Sequence, residues 1–158
     1  MKDARWLEVE DDVASATEHF SRSIEIFQRG GFEGESLDAY VARMALLQAM
    51  QSGYSSLESA FERILEILGE EKPAGSNYHA DLLRRIGRDI PGDRPAILDS
   101  QLFAAVDEAR RFRHVARKNY DGFQLDGAAS AIESAAVIRD GIANAIRSFR
   151  RTIDPDRS

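Results

Sequence analysis

The chain has 158 residues, 21 lysines and arginines against 27 aspartates and glutamates, a net charge of -6 and no cysteine. That length holds one domain with a proper core and is too short for two ordinary ones. The lack of cysteine excludes disulfides, thiolate nucleophiles and cysteine-metal sites; with no apolar run of the roughly 20 residues a bilayer span needs and no apolar signal core after Met1, a cytoplasmic protein that does not engage membranes is expected.

Apolar residues step by three and four almost throughout, the period of amphipathic helices. Trp6, Val9, Val13, Ala16, Phe20, Ile24 and Phe27 mark one face of a long first helix, which Arg29-Gly30-Gly31 should end because glycine tolerates the left-handed geometry of a C-terminal cap. Ser36 is placed to cap a second helix, in which Leu37, Val41, Met44, Leu47, Tyr54, Leu57, Phe61, Ile64 and Leu68 continue one period, with a possible bend at Gly53. The breaker-rich segment 69–77 reads as a loop. A short helix follows from Tyr78 to about Asp89, with Leu82, Leu83 and Ile86 inward, and then a stiff turn, Pro91-Gly92-Asp93-Arg94-Pro95. Asp99 or Ser100 caps a fourth helix, 119–127 reads as a loop, and a last helix runs from about Ala128 to Thr152. No alternating strand pattern occurs. The expected fold is all-α: an antiparallel bundle of four long helices and one short one, a single domain over 1–153 with a frayed tail at 154–158.

The charge is polarised. Residues 1–35 carry four cations against nine acids, and residues 82–118 carry nine cations against five acids. The end of the fourth helix concentrates the positive charge, in Arg110-Arg111-Phe112-Arg113-His114-Val115-Ala116-Arg117-Lys118-Asn119-Tyr120. A few cations there would complement the negative helix end. Five, with a histidine and a tyrosine, point to a polyanion, with phosphate the obvious candidate. Arg110 and His114 share a helix face, as do His114 and Lys118, and Arg113 and Arg117. Positions 113 and 118 stand about 140° apart on an ideal helix, so they meet at one phosphate only where the helix frays. Other chemistries lack their motifs: there is no phosphate-binding glycine loop and no His-x-x-x-His pair, and the acids at 8–12 suit a helix start better than a metal. His19 and His79 read as structural histidines; His79, opening the third helix, could hydrogen-bond across the bundle.

Phe112-Arg113-His114-Val115-Ala116-Arg117-Lys118-Asn119-Tyr120, followed by Phe123-x-Leu125, resembles the signature of HepT-like proteins in the HEPN superfamily. The resemblance extends upstream through Tyr78–Leu83 and Arg94–Ile97, reaches back to Gly53–Glu58, and covers roughly residues 40–126. It implies a helical bundle that homodimerises, a metal-independent endoribonuclease without a cofactor, and a toxin paired with a minimal nucleotidyltransferase antitoxin that transfers AMP to a tyrosine. Carried over, it makes Arg113 the catalytic arginine, His114 its polar neighbour and Tyr120 the modification candidate. Arg110 and Arg117 would contact RNA phosphates.

Five residues after Arg113, where the family has histidine, stands Lys118. Cleavage without a metal needs a group that takes the 2′-hydroxyl proton, one that stabilises the phosphorane charge and one that protonates the leaving oxygen. Arginine suits the second task. Lysine, with a reference pKa of about 10.4, donates protons and stabilises charge but does not accept a proton near neutrality. Arg113, His114 and Lys118 are therefore the catalytic candidates, with His114 available as base. Two alternatives stand beside the nuclease: a non-catalytic HEPN module that binds RNA, nucleotide or the nucleotidyltransferase, and a plain helical dimerisation protein.

Overall fold

The computed structural model describes residues 3–118 and 125–155, and the side chains of all of these except 117, 118, 125 and 126. The described residues form five helices: α1 (Ala4–Arg29), α2 (Leu37–Ile67), α3 (Tyr78–Ile86), α4 (Ser100–Lys118) and α5 (Leu125–Ile153). Among the described residues there is no strand, only an isolated bridge between Ile90 and Arg94 where the proline-bounded turn closes on itself. None of the described helices is long and apolar enough to cross a membrane.

Local chemistry sets most helix ends. The Asp3 carboxylate accepts from the Arg5 backbone N–H at 3.0 Å and starts α1; Gly30, at φ +71°, ends it. The Ser36 hydroxyl accepts from the Ala39 N–H at 3.1 Å and starts α2. Of the two candidate caps for α4, Asp99 serves, its carboxylate accepting from Leu102 N–H at 2.8 Å. Each satisfies a backbone group that a helix end leaves unpaired.

α3 ends at Ile86, three residues before the expected Asp89. The cause is Arg94, buried beside the helix end, whose guanidinium donates to the carbonyls of Arg85, Arg88 and Pro95 and to the Glu70 carboxylate. The carbonyls of Arg85 and Arg88 are thereby satisfied without further helical turns. α5 starts at Leu125 rather than Ala128, so Asp126-Gly127 belongs to its first turn.

Paired residues give the helix directions. α1 and α2 meet at Glu8 with Arg63, Ser15 with Ser56, and Phe20 with Gly53. α1 and α5 meet at Trp6 with Arg150, and α4 and α5 at Leu102 with Gly141 and Glu108 with Ser130. For α1 with α2 and for α4 with α5, rising numbers on one helix meet falling numbers on the other, so these neighbours are antiparallel; the start of α1 lies beside the end of α5. α1 packs on α2 and α5, and α4 packs on α2 and α5, closing a four-helix ring; α3 lies against α2 and α4. The core contains Trp6, Val9, Val13, Phe20, Met50, Leu57, Phe61, Leu82, Val106, Ile138 and Ile142, and burial of each large side chain contributes about 1.5–3 kcal/mol.

α2 corrects the single apolar period expected of it. Its first half buries Ala39, Leu46, Ala49 and Met50, whereas Leu37, Tyr40 and Val41 face outward, Leu37 with 75% of its surface exposed. Gly53 lies within one continuous helix and serves as a close-approach position: a Cβ there would come within 3.0–3.1 Å of the Phe20 ring.

Candidate functional site

The last turns of α4 run along α2 near Tyr54. Here the cations separate into two sets. Asp107 takes two of them: Arg110 donates to its Oδ1 at 2.8 and 3.0 Å, and Arg111 reaches its Oδ2 at 2.7 Å. Arg113 turns the other way. Its guanidinium carbon lies 5.6 Å from the centre of the Tyr54 ring, and its Nε is buried with no hydrogen-bond partner among the described residues. No carboxylate pairs with Arg113 among the described residues. A guanidinium stacked on an aromatic face keeps its edge donors for another acceptor.

His114 and Val115 are exposed. Arg117 and Lys118 continue α4, with side chains outside the described set, and Tyr120 lies outside the described residues. Because α4 remains helical through Lys118, positions 113 and 118 stay about 140° apart around it. The helix does not fray before that point, so the backbone does not aim both positions of one chain at a single phosphate.

Beneath Arg113 lies a polar row that the sequence reading did not assemble. Tyr54 is buried, and Glu58 lies one turn further along the same buried face of α2. Burial, and then the Glu58 charge, push the Tyr54 phenol well above its ordinary range; the charges of Arg110 and Arg113 act in the opposite sense. Tyr54 is therefore neutral, and its hydroxyl is a donor. The partner of Glu58 is His79, the second residue of α3, whose Nδ1 lies 2.7 Å from Oε2. An ionised carboxylate only accepts, so His79 carries its proton on Nδ1, leaving Nε2 as the other ring nitrogen. The Glu58 side chain is 9% exposed and that of His79 46%. The Tyr78 ring meets His79 edge-on, with centroids 5.5 Å apart. Burial, followed by the charge and hydrogen bond of Glu62, pushes its phenol up to about 12.

One sequence signal for this row existed. Tyr54, Glu58, Phe61 and Leu65 fall on one helical face, all buried, and a carboxylate in such a stripe needs a polar partner. Which partner it has, and that it comes from α3, is a fact of packing. Among the described residues no group of three or more histidines and acids is gathered as a metal site would require.

An all-helical bundle of HEPN type, with an arginine–histidine segment at the end of its fourth helix, defines the class. A family model described as HepT-like protein matches residues 45–153, more than half of the chain. The chain belongs to this HEPN-related, HepT-like family. The match begins within α2 and ends with α5, so it takes in Tyr54, Glu58, His79 and Arg113 and extends beyond the 40–126 resemblance at the C-terminal side. No curated protein and no solved structure matched the chain.

Proposed function

We propose that the protein is the toxin-type subunit of a HepT-like pair and cleaves RNA without a metal. The observation that carries this reading is the contrast on α4: Arg110 and Arg111 share Asp107, while Arg113 rests on a neutral ring with donors to spare. An arginine held by stacking, with no carboxylate partner among the described residues, is suited to a phosphate, which it can grip with two N–H groups. In the reaction, the 2′-oxygen forms a bond to phosphorus, the bond from phosphorus to the 5′-oxygen breaks, and a cyclic phosphate remains. Arg113 stabilises the charge that develops on the phosphoryl oxygens, and His114 and Lys118 are the proton carriers named from the sequence. Arg110 and Arg117 add phosphate contacts, Arg110 by exchanging Asp107 for RNA.

A second copy of the chain is part of this reading. Leu37, Tyr40 and Val41 on α2 and Val115 on α4 are exposed apolar side chains. Tyr40 and Val41 line a groove of about 680 Å³ together with Met44, Ala45, Leu47 and Ala116. A two-fold contact on this face would bring two α4 ends beside one cleft, so that Arg113 of one copy could work with position 118 of the other. The partnership with a nucleotidyltransferase, and AMP transfer to Tyr120, follow from the family alone.

Lys118 favours the second reading, a HepT-like module that binds RNA, nucleotide or its partner without cutting. The two separate in one assay. Purified protein with labelled RNA in EDTA should yield fragments with cyclic phosphate ends, and Arg113→Ala should lower the rate by about 100-fold or more. Binding that falls steeply with salt, without fragments, would select the second reading.

A further inference from the structure

Resting on the nuclease reading above, we propose that His79, positioned by Glu58, is the residue that takes the proton from the attacking 2′-hydroxyl. The site needs a proton acceptor; Lys118 is a poor one, and among the described residues no hydrogen bond orients the exposed His114, the base named from the sequence, as Glu58 orients His79. His79 has the arrangement such a group requires. A buried carboxylate at 2.7 Å from Nδ1 fixes the ring and its tautomer, so Nε2 is free to accept. Nearly half of its side chain is open to solvent, while Glu58 behind it is closed off.

The position follows from the shared face of α2. Arg113 lies over the Tyr54 ring, Glu58 stands one turn further along the same buried face, and Glu58 holds His79. These residues come from α4, α2 and α3, which pack against one another. Arg113 and the imidazole thus attach to adjacent turns of α2, a rise of about 5.4 Å, the span that a phosphate and its neighbouring ribose would bridge. In the step itself, the 2′-hydroxyl proton passes to Nε2 of neutral His79 as the 2′-oxygen bonds to phosphorus. The 5′-oxygen leaves and takes a proton from a solvent water, and the imidazolium returns its added proton to the hydroxide left behind. Glu58 touches no reacting atom; it is a positioning residue.

A purely structural role is the competing account, since the same hydrogen bond ties α3 to α2. His79→Asn separates the two, because its side-chain amide can still donate to Glu58 but has no nitrogen that accepts a proton. The experiment compares wild type, His79→Asn, His79→Ala and Arg113→Ala for RNA cleavage in EDTA and for RNA binding, with helix content as a check on folding. The proposal expects both His79 variants to lose about 100-fold or more in rate, with binding affinity within about twofold of wild type and His79→Asn folded. Wild-type cleavage by His79→Asn, with Arg113→Ala inactive, would overturn the role of His79 and leave the nuclease reading standing. Loss of binding in step with cleavage would overturn it too, since a proton acceptor does not hold the RNA. A wild-type protein that cuts no RNA would remove the nuclease reading and this inference with it.

Discussion

The guanidinium of Arg113 lies 5.6 Å from the centre of the buried Tyr54 ring, a charge on α4 held by an aromatic face of α2. The pair has two separable parts. Tyr54→Phe keeps the π-face and removes the hydroxyl of a buried side chain one turn from Glu58. It should cost about 1 kcal/mol in urea denaturation and leave RNA affinity near wild type. Tyr54→Leu removes the face itself and should weaken RNA binding as well; equal affinity for the two variants would show that stacking does not position Arg113.

Arg94 and Glu70 make a stability prediction with a pH signature. Hydrogen bonding from Arg94 first, opposed by burial, and then the charges of Arg94 and Arg85 hold the Glu70 carboxyl below its ordinary value of 4.5. A depressed folded-state value means that the stabilisation is present above about pH 4.5 and is lost as the pH falls through the folded-state value. Glu70→Gln should therefore lower stability at neutral pH and flatten its decline in acid. Arg94→Ala leaves a mostly buried carboxylate and the carbonyls of Arg85, Arg88 and Pro95 without their donor, and should cost about 3–5 kcal/mol. Urea melts between pH 3 and 7 check both.

Two glycines should respond differently to alanine. A Cβ at Gly87 would clash with the Phe103 ring, so Gly87→Ala should destabilise by about 1–3 kcal/mol. At Gly53 the Phe20 ring stands at 3.0–3.1 Å, and alanine regains about 0.8–1 kcal/mol of helix propensity. Gly53→Ala should therefore cost less. Thermal melts that reverse this order would contradict the packing at the end of α3.

The exposed face of α2 supplies a test of assembly. The protein should sediment as a dimer, and Tyr40→Glu with Val41→Glu should shift it to monomer with helix content unchanged, because both side chains lie outside the core. A double variant that remains dimeric would move the contact elsewhere.

The helices and their inward faces were legible in the sequence wherever a single period ran against the core, as from Trp6 to Ile24 and from Leu57 to Ile64. The first half of α2 broke that rule because an apolar stripe there, Leu37 and Val41, is not covered by the other described residues; periodicity reports an amphipathic helix but not what covers it. The end of α3 was illegible because Arg94, eight residues beyond, stops it. The cationic segment was visible as composition, yet its division between Asp107 and Tyr54 depends on rotamers and neighbours. The link from Glu58 to His79 joins residues 21 apart in the chain, across two helices, and no local spacing announces it.

The most direct test of the central claim sets Arg113 against Arg111, two residues away on the same helix and already paired with Asp107. RNA cleavage in EDTA should fall by about 100-fold or more for Arg113→Ala and stay within about threefold for Arg111→Ala, since the lost charge is one that Asp107 already neutralises. Equal losses for the two variants, or none for Arg113→Ala, would contradict the account.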